Sequence, residues 1–204
     1  MKTSDEELKN IFVDYAPEPF VLYLMKLFSS KNVVLKIKTP RKTKFGDFKP
    51  LNKNGQYQIT INKDLNAYAF LITILHEFAH LLIHEKHQQS VSPHGKEWKD
   101  KFRELLEPIM DKKNLPQEIY NALLSTKNKV TSSSCLDYDL YKEVSKYDHQ
   151  KDYCFLEKIQ IGTKFKLNGR TFVKGEIKRK RFLCVEYKTK RKYMVQSLAK
   201  VKPI

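Results

Sequence analysis

Two histidines and one glutamate stand close together in the segment His76-Glu77-Phe78-Ala79-His80. The histidines are four positions apart, so on a helix both imidazoles face the same side and can bind one metal ion. Glu77 follows the first histidine and can approach a water on that ion without becoming a ligand itself. Because zinc lowers the pKa of its water to about 7, a nearby carboxylate can take the proton. The segment therefore predicts a hydrolytic zinc site with Glu77 as the general base.

A catalytic zinc ion needs a third protein ligand and keeps one position open. His84 lies one further turn along the same predicted helix, too far along its axis to close a tight tetrahedral site. His94 lies beyond a turn, where a chain reversal would return it to the first helix and the Trp98 side of the next helix would fix it. The residues weighed for the third position are His84, His87, His94, Glu85 and Glu97.

The helix that carries the two histidines is predicted to be central to the fold. Asp64 can cap it, and it runs to about Glu85 with apolar residues on nearly all sides. A polar turn over residues 86–93 leads to an amphipathic helix around Trp98. Further helices are predicted from the capping box of Ser4 and Glu7, over residues 19–28, and over residues 116–124.

Two short strands are predicted before the central helix. Val33, Leu35 and Ile37 alternate with Val34, Lys36 and Lys38, and the apolar residues of 56–61 alternate with polar ones. The turn signal Asn54-Gly55 precedes the second strand. Residues 39–50 are basic and contain one glycine and two prolines, so they are expected to form a loop. These elements predict an α+β domain over residues 1–125.

The motif and the segment that follows it resemble a known family. HEFAHLL from His76, followed by SPHGKEW from Ser92, is similar to the SprT-like (Spartan-type) zinc metallopeptidases. The resemblance implies a zincin-like fold, one zinc ion held by His76, His80 and His94, and Glu77 as catalytic residue. It also implies cleavage of DNA-associated proteins, especially those crosslinked to DNA, and hence a role in DNA–protein crosslink repair.

The sequence departs from many bacterial members of that family at its C-terminal end. Those members continue into a zinc ribbon with paired cysteines, which Cys135, Cys154 and Cys184 cannot form. Three unpaired thiols without a CxxC motif fit ordinary core or surface positions in a reducing compartment. A second zinc ion is therefore not expected.

The positive charge of the chain is concentrated at its C-terminal end. The formal net charge is +16, and residues 151–204 hold 16 Lys and Arg against 4 Asp and Glu, a net of +12. Strands are expected over residues 171–177, 182–187 and 193–195, with a hairpin at Asn168-Gly169. Residues 156–204 are thus predicted to form a basic all-β module, a small barrel or curled sheet, after a linker over residues 126–155.

Clusters of cations interleaved with aromatic residues favour nucleic-acid binding by this module. Besides the clusters, four single cations lie on neighbouring predicted strands: Lys164, Lys166, Arg170 and Lys174. The interleaved aromatic residues are Phe165, Phe172, Phe182, Tyr187 and Tyr193. Taken alone, these aromatic residues favour a barrel core under a solvated basic surface, whereas the cations favour nucleic acid. The residues expected to contact DNA, single-stranded or without sequence preference, are Lys178, Arg179, Lys180, Arg181, Lys190, Arg191 and Lys192.

Together these features predict a monomeric zinc endopeptidase that acts on DNA-bound proteins and is tethered to DNA by its basic module. The N-terminal residues lack a signal-peptide pattern, and the longest apolar stretch, residues 65–75, is too short to span a bilayer. A cytoplasmic protein without membrane association is therefore expected. Two alternatives remain: a non-catalytic DNA-binding or transcription-associated factor in which zinc only stabilises the fold, and a zinc peptidase with an ordinary soluble substrate.

Overall fold

The computed structural model divides the chain into two compact units, Met1–Asp148 and His149–Ile204. It describes residues 2–41, 44–51, 53, 55–88, 90–129, 138–148 and 152–204. The first unit mixes helices with a small sheet, and the second consists mainly of strands. This confirms the predicted α+β class with a β-rich C-terminal part.

The described part of the first unit contains six α-helices packed around one apolar core. The predicted capping box is confirmed at the first helix, where Ser4 and Glu7 each bind the backbone N–H of the other at 3.2 and 2.8 Å. The helices are α1 (Asp5–Tyr15), α2 (Val21–Ser29), α3 (Ala67–His87), α4 (Lys96–Leu106), α5 (Gln117–Lys129) and α6 (Tyr138–Val144).

The sheet of this unit has three strands: β1 (Val33–Lys38), β2 (Gly46–Lys49) and β3 (Tyr57–Asn62). Their order is β1-β3-β2, with β1 parallel and β2 antiparallel to β3. The expectation that residues 39–50 form only a loop is therefore wrong. The four residues of β2 are too few for an alternating pattern, and pairing with β3 rather than local propensity makes them a strand. Asn54 of the predicted turn lies outside the described residues.

Helix α3 is the core of the first unit, as its all-round apolar composition predicts. Its N-cap is Asn66, whose side chain accepts a hydrogen bond from Ala69 N at 3.0 Å, and not the expected Asp64. It is long and apolar enough to cross a membrane by length and composition, but 72% of that window is buried inside the protein. This burial marks α3 as the core helix of the unit.

The first unit extends past residue 125, where the sequence predicted a linker over residues 126–155. Helix α5 ends at Lys129, and α6 places Leu140 and Val144 in the same apolar core. The Asn66 amide donates to Val144 O at 3.0 Å and to Asp148 Oδ1 at 2.8 Å, which ties α6 to the start of α3. Seven helical residues are too few to give a strong periodic signal, so tertiary packing decides this element.

The second unit is an antiparallel sheet of six strands with its own small core. The predicted hairpin is present: Asn168 and Gly169 have φ of 51° and 77°, as a type I′ turn requires. The strand order is β4-β9-β5-β6-β7-β8. The strands are β4 (Cys154–Phe155), β5 (Lys164–Leu167), β6 (Arg170–Lys178), β7 (Arg181–Glu186), β8 (Lys192–Gln196) and β9 (Lys200–Pro203).

Candidate metal centre

The Nε2 atoms of three histidines form a nearly equilateral triangle in the first unit. His80 Nε2 lies 3.2 Å from His76 Nε2 and 3.0 Å from His94 Nε2, and the third side is 3.2 Å. Three ligands of a tetrahedral zinc ion, each at about 2.0–2.1 Å, lie roughly 3.3 Å apart. The triangle therefore has the size of one face of a zinc coordination tetrahedron.

Two different elements bring these histidines together. His76 and His80 lie one turn apart on α3, while His94 lies in the turn between α3 and α4. His94 has φ of 58°, a left-handed conformation that is uncommon for residues other than glycine and is concentrated at functional sites. Gly95 N donates to Ser92 O at 2.9 Å, and a Cβ at Gly95 would lie only 2.9 Å from the same oxygen. A glycine after His94 therefore allows the turn that aims this side chain at α3.

Trp98 supports all three imidazoles from one side. Its ring centroid lies 4.6 Å from those of His76 and His94 and 5.2 Å from that of His80, and the indole is buried. Phe102 stacks on Trp98 at 5.0 Å. This layer fixes the ring orientations and shields the cluster from water, which strengthens charge interactions inside it.

Burial keeps the three imidazoles neutral. Desolvation lowers the pKa of His76 to about 2 and that of His80 to about 4, with the neighbouring histidines adding to the effect. The pKa of His94 is lowered by burial and by Lys99. In the tautomer that carries its proton on Nδ1, each of these neutral imidazoles presents an Nε2 lone pair to the others, an arrangement that a cation between them would stabilise. The group can thus hold a metal ion, and its donor set is the one that zinc accepts.

Glu77 lies beside the histidines and is pressed against strand β2. Its side chain is buried, and a Cβ at Gly46 would lie 2.7 Å from both Glu77 Cγ and Glu77 Oε1. The same Cβ would lie 2.8 Å from Thr73 Cγ2. Gly46 therefore leaves the space that the carboxylate occupies. The sequence did not single out this residue, because a glycine in a basic, proline-containing segment reads only as a loop.

A hydrogen-bond network fixes the chain just before β2. Arg41 Nε donates to Asn62 Oδ1 at 2.8 Å, and Arg41 Nη1 donates to Thr60 Oγ1 at 3.0 Å. Asn62 Nδ2 in turn donates to Lys44 O at 2.9 Å. Strand β3 thereby positions the start of β2, and through Gly46 it limits the movement of Glu77.

The other residues weighed as third ligands are not part of the triangle. The His84 ring packs against the rings of Phe48 and Tyr57 at 5.7 and 5.9 Å. Glu85 pairs with Lys31 at 2.6 Å on the protein surface. Within the described residues, His76, His80 and His94 are the one group of His, Cys, Asp and Glu side chains close enough to share an ion.

A cleft of about 330 Å³ opens beside the triangle and is lined in part by His80. Phe48 of β2 and Ile83 of α3 line it together with Val91 and Trp98. The cleft also has polar lining residues but is mostly apolar, as is common for ligand-binding sites.

The predicted nucleic-acid contacts fall in two hairpin turns of the second unit. Residues 178–181 join β6 to β7, residues 188–192 join β7 to β8, and these cations are exposed. Consecutive turns of a meander lie at opposite ends of the shared strand, which separates the clusters by roughly 17 Å. The seven side chains therefore form two patches at the ends of β7.

The remaining cations and aromatic residues of this unit are divided between surface and core. Lys164 and Lys166 are exposed on β5. Lys174 is instead buried, donating to Ile159 O at 2.6 Å, and Arg170 pairs with Glu186 at 2.7 Å. The buried aromatic residues are Phe165, Phe172 and Phe182, while Tyr193 is half-buried and Tyr187 is exposed.

The cysteines of the second unit do not form a metal site. Cys184 is buried in the core, where desolvation raises the pKa of its thiol, and Cys154 is half-buried. Cys135 lies outside the described residues.

Comparison with known proteins identifies the first unit. The model of the SprT-like family matches residues 19–121, just over half of the chain, which span α2, the three-stranded sheet, α3, α4 and the start of α5. No curated protein and no solved structure matches the chain. The family is associated with zinc metallopeptidase-like domains, in agreement with a histidine triangle of the right size for zinc. The chain belongs to the SprT-like family.

Proposed function

We propose that this protein is a zinc-dependent endopeptidase that cleaves DNA-associated or DNA-crosslinked proteins, with a zincin-like catalytic domain and a basic module that holds it on DNA. One observation carries the peptidase assignment: three convergent Nε2 atoms within 3.2 Å of one another stand next to a buried glutamate on the same helix. A purely structural zinc site is usually closed by four protein ligands, whereas a triangle of three leaves a position for substrate or water.

His76, His80 and His94 would hold the ion, and Trp98 would keep their rings in place. The chemistry that a bound zinc ion supplies here is polarisation of the scissile carbonyl and a lowered pKa for the attacking water. Glu77 would accept a proton from the attacking water and deliver it to the amine that leaves. Its packing against Gly46 restricts the carboxylate to a small range of positions, which favours proton transfer in a defined geometry.

An extended substrate would lie along β2. Strand β3 cannot present an edge to a substrate, because it is the middle strand and its backbone groups are used on both sides. Strand β2 lies at the edge next to Glu77, so its outer backbone groups can pair with a substrate strand. The apolar cleft lined by Phe48 and Val91 would accept an apolar side chain near the scissile bond.

The basic module would raise the concentration of the enzyme near proteins on DNA. A second binding contact makes the encounter with the substrate effectively intramolecular. The support for this part is the net charge of +12 in residues 151–204 and the exposure of both hairpin clusters.

The test is proteolysis of a DNA-bound protein by the full chain, with and without single-stranded DNA. Glu77→Gln should lower turnover by about 10³-fold or more, because it removes the general base in addition to a charge at the reacting centre. Zinc content by atomic absorption and DNA affinity should equal those of the wild type.

Glu85→Gln is a matched control, since it makes the same chemical change on the same helix at a surface ion pair. We expect its turnover to stay within about twofold of the wild type. Retained turnover in Glu77→Gln would contradict the peptidase assignment. Cleavage that is equally fast without DNA would contradict the tether and favour an ordinary soluble substrate.

A further inference from the structure

We propose that the second unit binds single-stranded DNA at one defined site, in which Tyr187 stacks on a base while Lys164 and Lys190 contact the flanking phosphates. This inference rests on the proposed tethering function and deepens it. The proposed site is centred on one exposed aromatic ring at one end of β7, rather than on the seven cations that the sequence predicted as DNA contacts.

Tyr187 is far more exposed than the aromatic residues in the core of its unit. Phe165, Phe172 and Phe182 belong to the buried core, so they cannot reach a ligand. Tyr187 directly follows β7, and 46% of it is exposed. Its backbone N–H donates to Thr171 O at 2.9 Å, which anchors the residue to β6 while its ring stays on the surface. An anchored, exposed ring is the feature that base stacking requires.

Two lysines from distant parts of the sequence surround this ring. Lys164 Nζ lies 4.4 Å and Lys190 Nζ lies 4.7 Å from the ring centroid. Lys164 comes from β5 and Lys190 from the β7–β8 turn, where it has φ of 60°. Neither ammonium group forms an ion pair within the described residues, so both are available for phosphate oxygens.

The acidic residue next to this platform is neutralised within the protein. Glu186 accepts hydrogen bonds from Arg170 Nε at 2.7 Å and from the Thr189 hydroxyl. The hydrogen bond from Arg170 is the main reason why the pKa of Glu186 falls to about 2. The carboxylate is buried and its charge is balanced, so it does not oppose a phosphate at Lys164 or Lys190. Arg170 is therefore a structural residue of the site and not a free cation.

Ligand binding would exchange weak contacts for stronger ones. A cation over an exposed ring is a weaker interaction than a nucleobase stacked on that ring. A base that displaces a lysine from Tyr187 also moves its ammonium group towards the adjacent phosphate, where charge pairing and counterion release favour binding. Stacking on the platform requires an unpaired base, which is why the occupant is a single strand rather than a duplex.

The opposite end of β7 lacks an equivalent aromatic platform among the described residues. Residues 178–181 supply only cations there, so that turn can attract DNA but cannot hold a base. The Tyr187 end combines a platform, two unpaired lysines and a neutralised carboxylate, and this combination makes it the specific site.

The experiment measures binding of the full chain to a fluorescein-labelled oligothymidylate of about 16 nucleotides by fluorescence anisotropy. Tyr187→Ala should weaken binding at least about fivefold, whereas Tyr187→Phe should stay within about twofold because it keeps the ring. Tyr153→Ala is the matched control, since Tyr153 lies in the same unit and is 47% exposed. It should bind like the wild type.

Salt dependence tests the two lysines. Lys164→Gln and Lys190→Gln should each reduce the slope of log K against log salt by about 0.7, and Lys158→Gln, an exposed lysine of the same unit, should leave it unchanged. Equal affinity of Tyr187→Ala and wild type would overturn the site even if the chain binds DNA. Tighter binding of a duplex of the same length, unaffected by Tyr187→Ala, would also overturn it.

The assay needs no proteolysis, so its outcome is independent of whether Glu77 catalyses hydrolysis. A wild-type chain that cleaves protein but binds no oligonucleotide would overturn the site and the tether while leaving the peptidase assignment intact.

Discussion

Replacing Gly46 by alanine should impair catalysis more than it impairs folding. The added Cβ would lie 2.7 Å from Glu77 Cγ and Oε1 and 2.8 Å from Thr73 Cγ2. Ordinary contact begins near 3.4 Å, so the glutamate side chain must move by roughly 0.7 Å. Two of these three atoms belong to Glu77, whose side chain has more rotatable bonds than that of Thr73, so the fold can accommodate the methyl group mainly by displacing the carboxylate.

The expected magnitudes follow from this displacement. A misplacement of about 1 Å at a reacting group can reduce a rate by roughly 10²-fold, so we expect kcat/KM to fall by a factor of 10 to 100, about 1.4–2.7 kcal/mol. Overpacking of a core typically costs about 1–3 kcal/mol, and the lower end applies here because one side of the contact is a flexible side chain. Zinc content should not change, since the three atoms nearest to the new Cβ belong to Glu77 and Thr73 and not to the histidines.

The assay is hydrolysis of a fluorogenic peptide together with zinc content and chemical denaturation for each variant. Gly55→Ala is the control: it makes the same substitution at φ of 67° with no atom within 4 Å of the new Cβ. It should cost about 1 kcal/mol of stability through backbone strain and leave kcat/KM unchanged. Gly46→Ala with wild-type kcat/KM would refute the argument that this glycine sets the position of Glu77.

Three further predictions concern stability. The free energy of unfolding of the metal-free protein should fall by about 1 kcal/mol between pH 6.5 and 5.5 because of His76 alone. Burial lowers the pKa of His76 to about 2 in the folded protein, so only the unfolded chain binds a proton at this residue in that pH range. The Tm measured against pH should fall accordingly. Lys174→Ala should destabilise the second unit by about 2 kcal/mol, because the Glu157 and Ile159 carbonyls lose the donor that the buried ammonium group provides. Hydrogen exchange of β5–β7 should therefore increase, whereas Lys178→Ala at an exposed position should have little effect. Asn66→Ala should lower the free energy of unfolding by about 2–3 kcal/mol, whereas Asp64→Ala should lower it by less than about 0.5 kcal/mol. The measurement is urea denaturation monitored by the fluorescence of the single tryptophan.

Each of these predictions has a contradicting result. A metal-free Tm that does not change between pH 6.5 and 5.5 would mean that the imidazole is not buried in its neutral form. Unchanged exchange in Lys174→Ala would mean that water replaces the ammonium group. Equal losses for the two substitutions before α3 would mean that Asn66 is not the helix cap.

The sequence alone determined the parts of the site that depend on local geometry. His76, Glu77 and His80 lie within five residues of one helix, so their relative positions follow from the helical repeat. The same repeat places His84 too far along the helix axis to share the ion. The turn followed by the Trp98 helix, together with the family resemblance, identified His94. The hairpin at Asn168-Gly169 was predictable for a similar reason, because two adjacent residues determine its backbone conformation.

Only the tertiary structure decided the contacts between residues far apart in sequence. Gly46 lies against Glu77, Lys164 lies over the ring of Tyr187, and α6 packs on the start of α3, although no local sequence pattern relates these pairs. Strand β2 exists because β3 offers it hydrogen bonds, and its four residues carry too little periodicity to reveal this. The sequence shows the charge of a residue but not its burial. Lys174 and Lys164 are both lysines on predicted strands, yet only Lys174 is buried by the tertiary packing of the sheet.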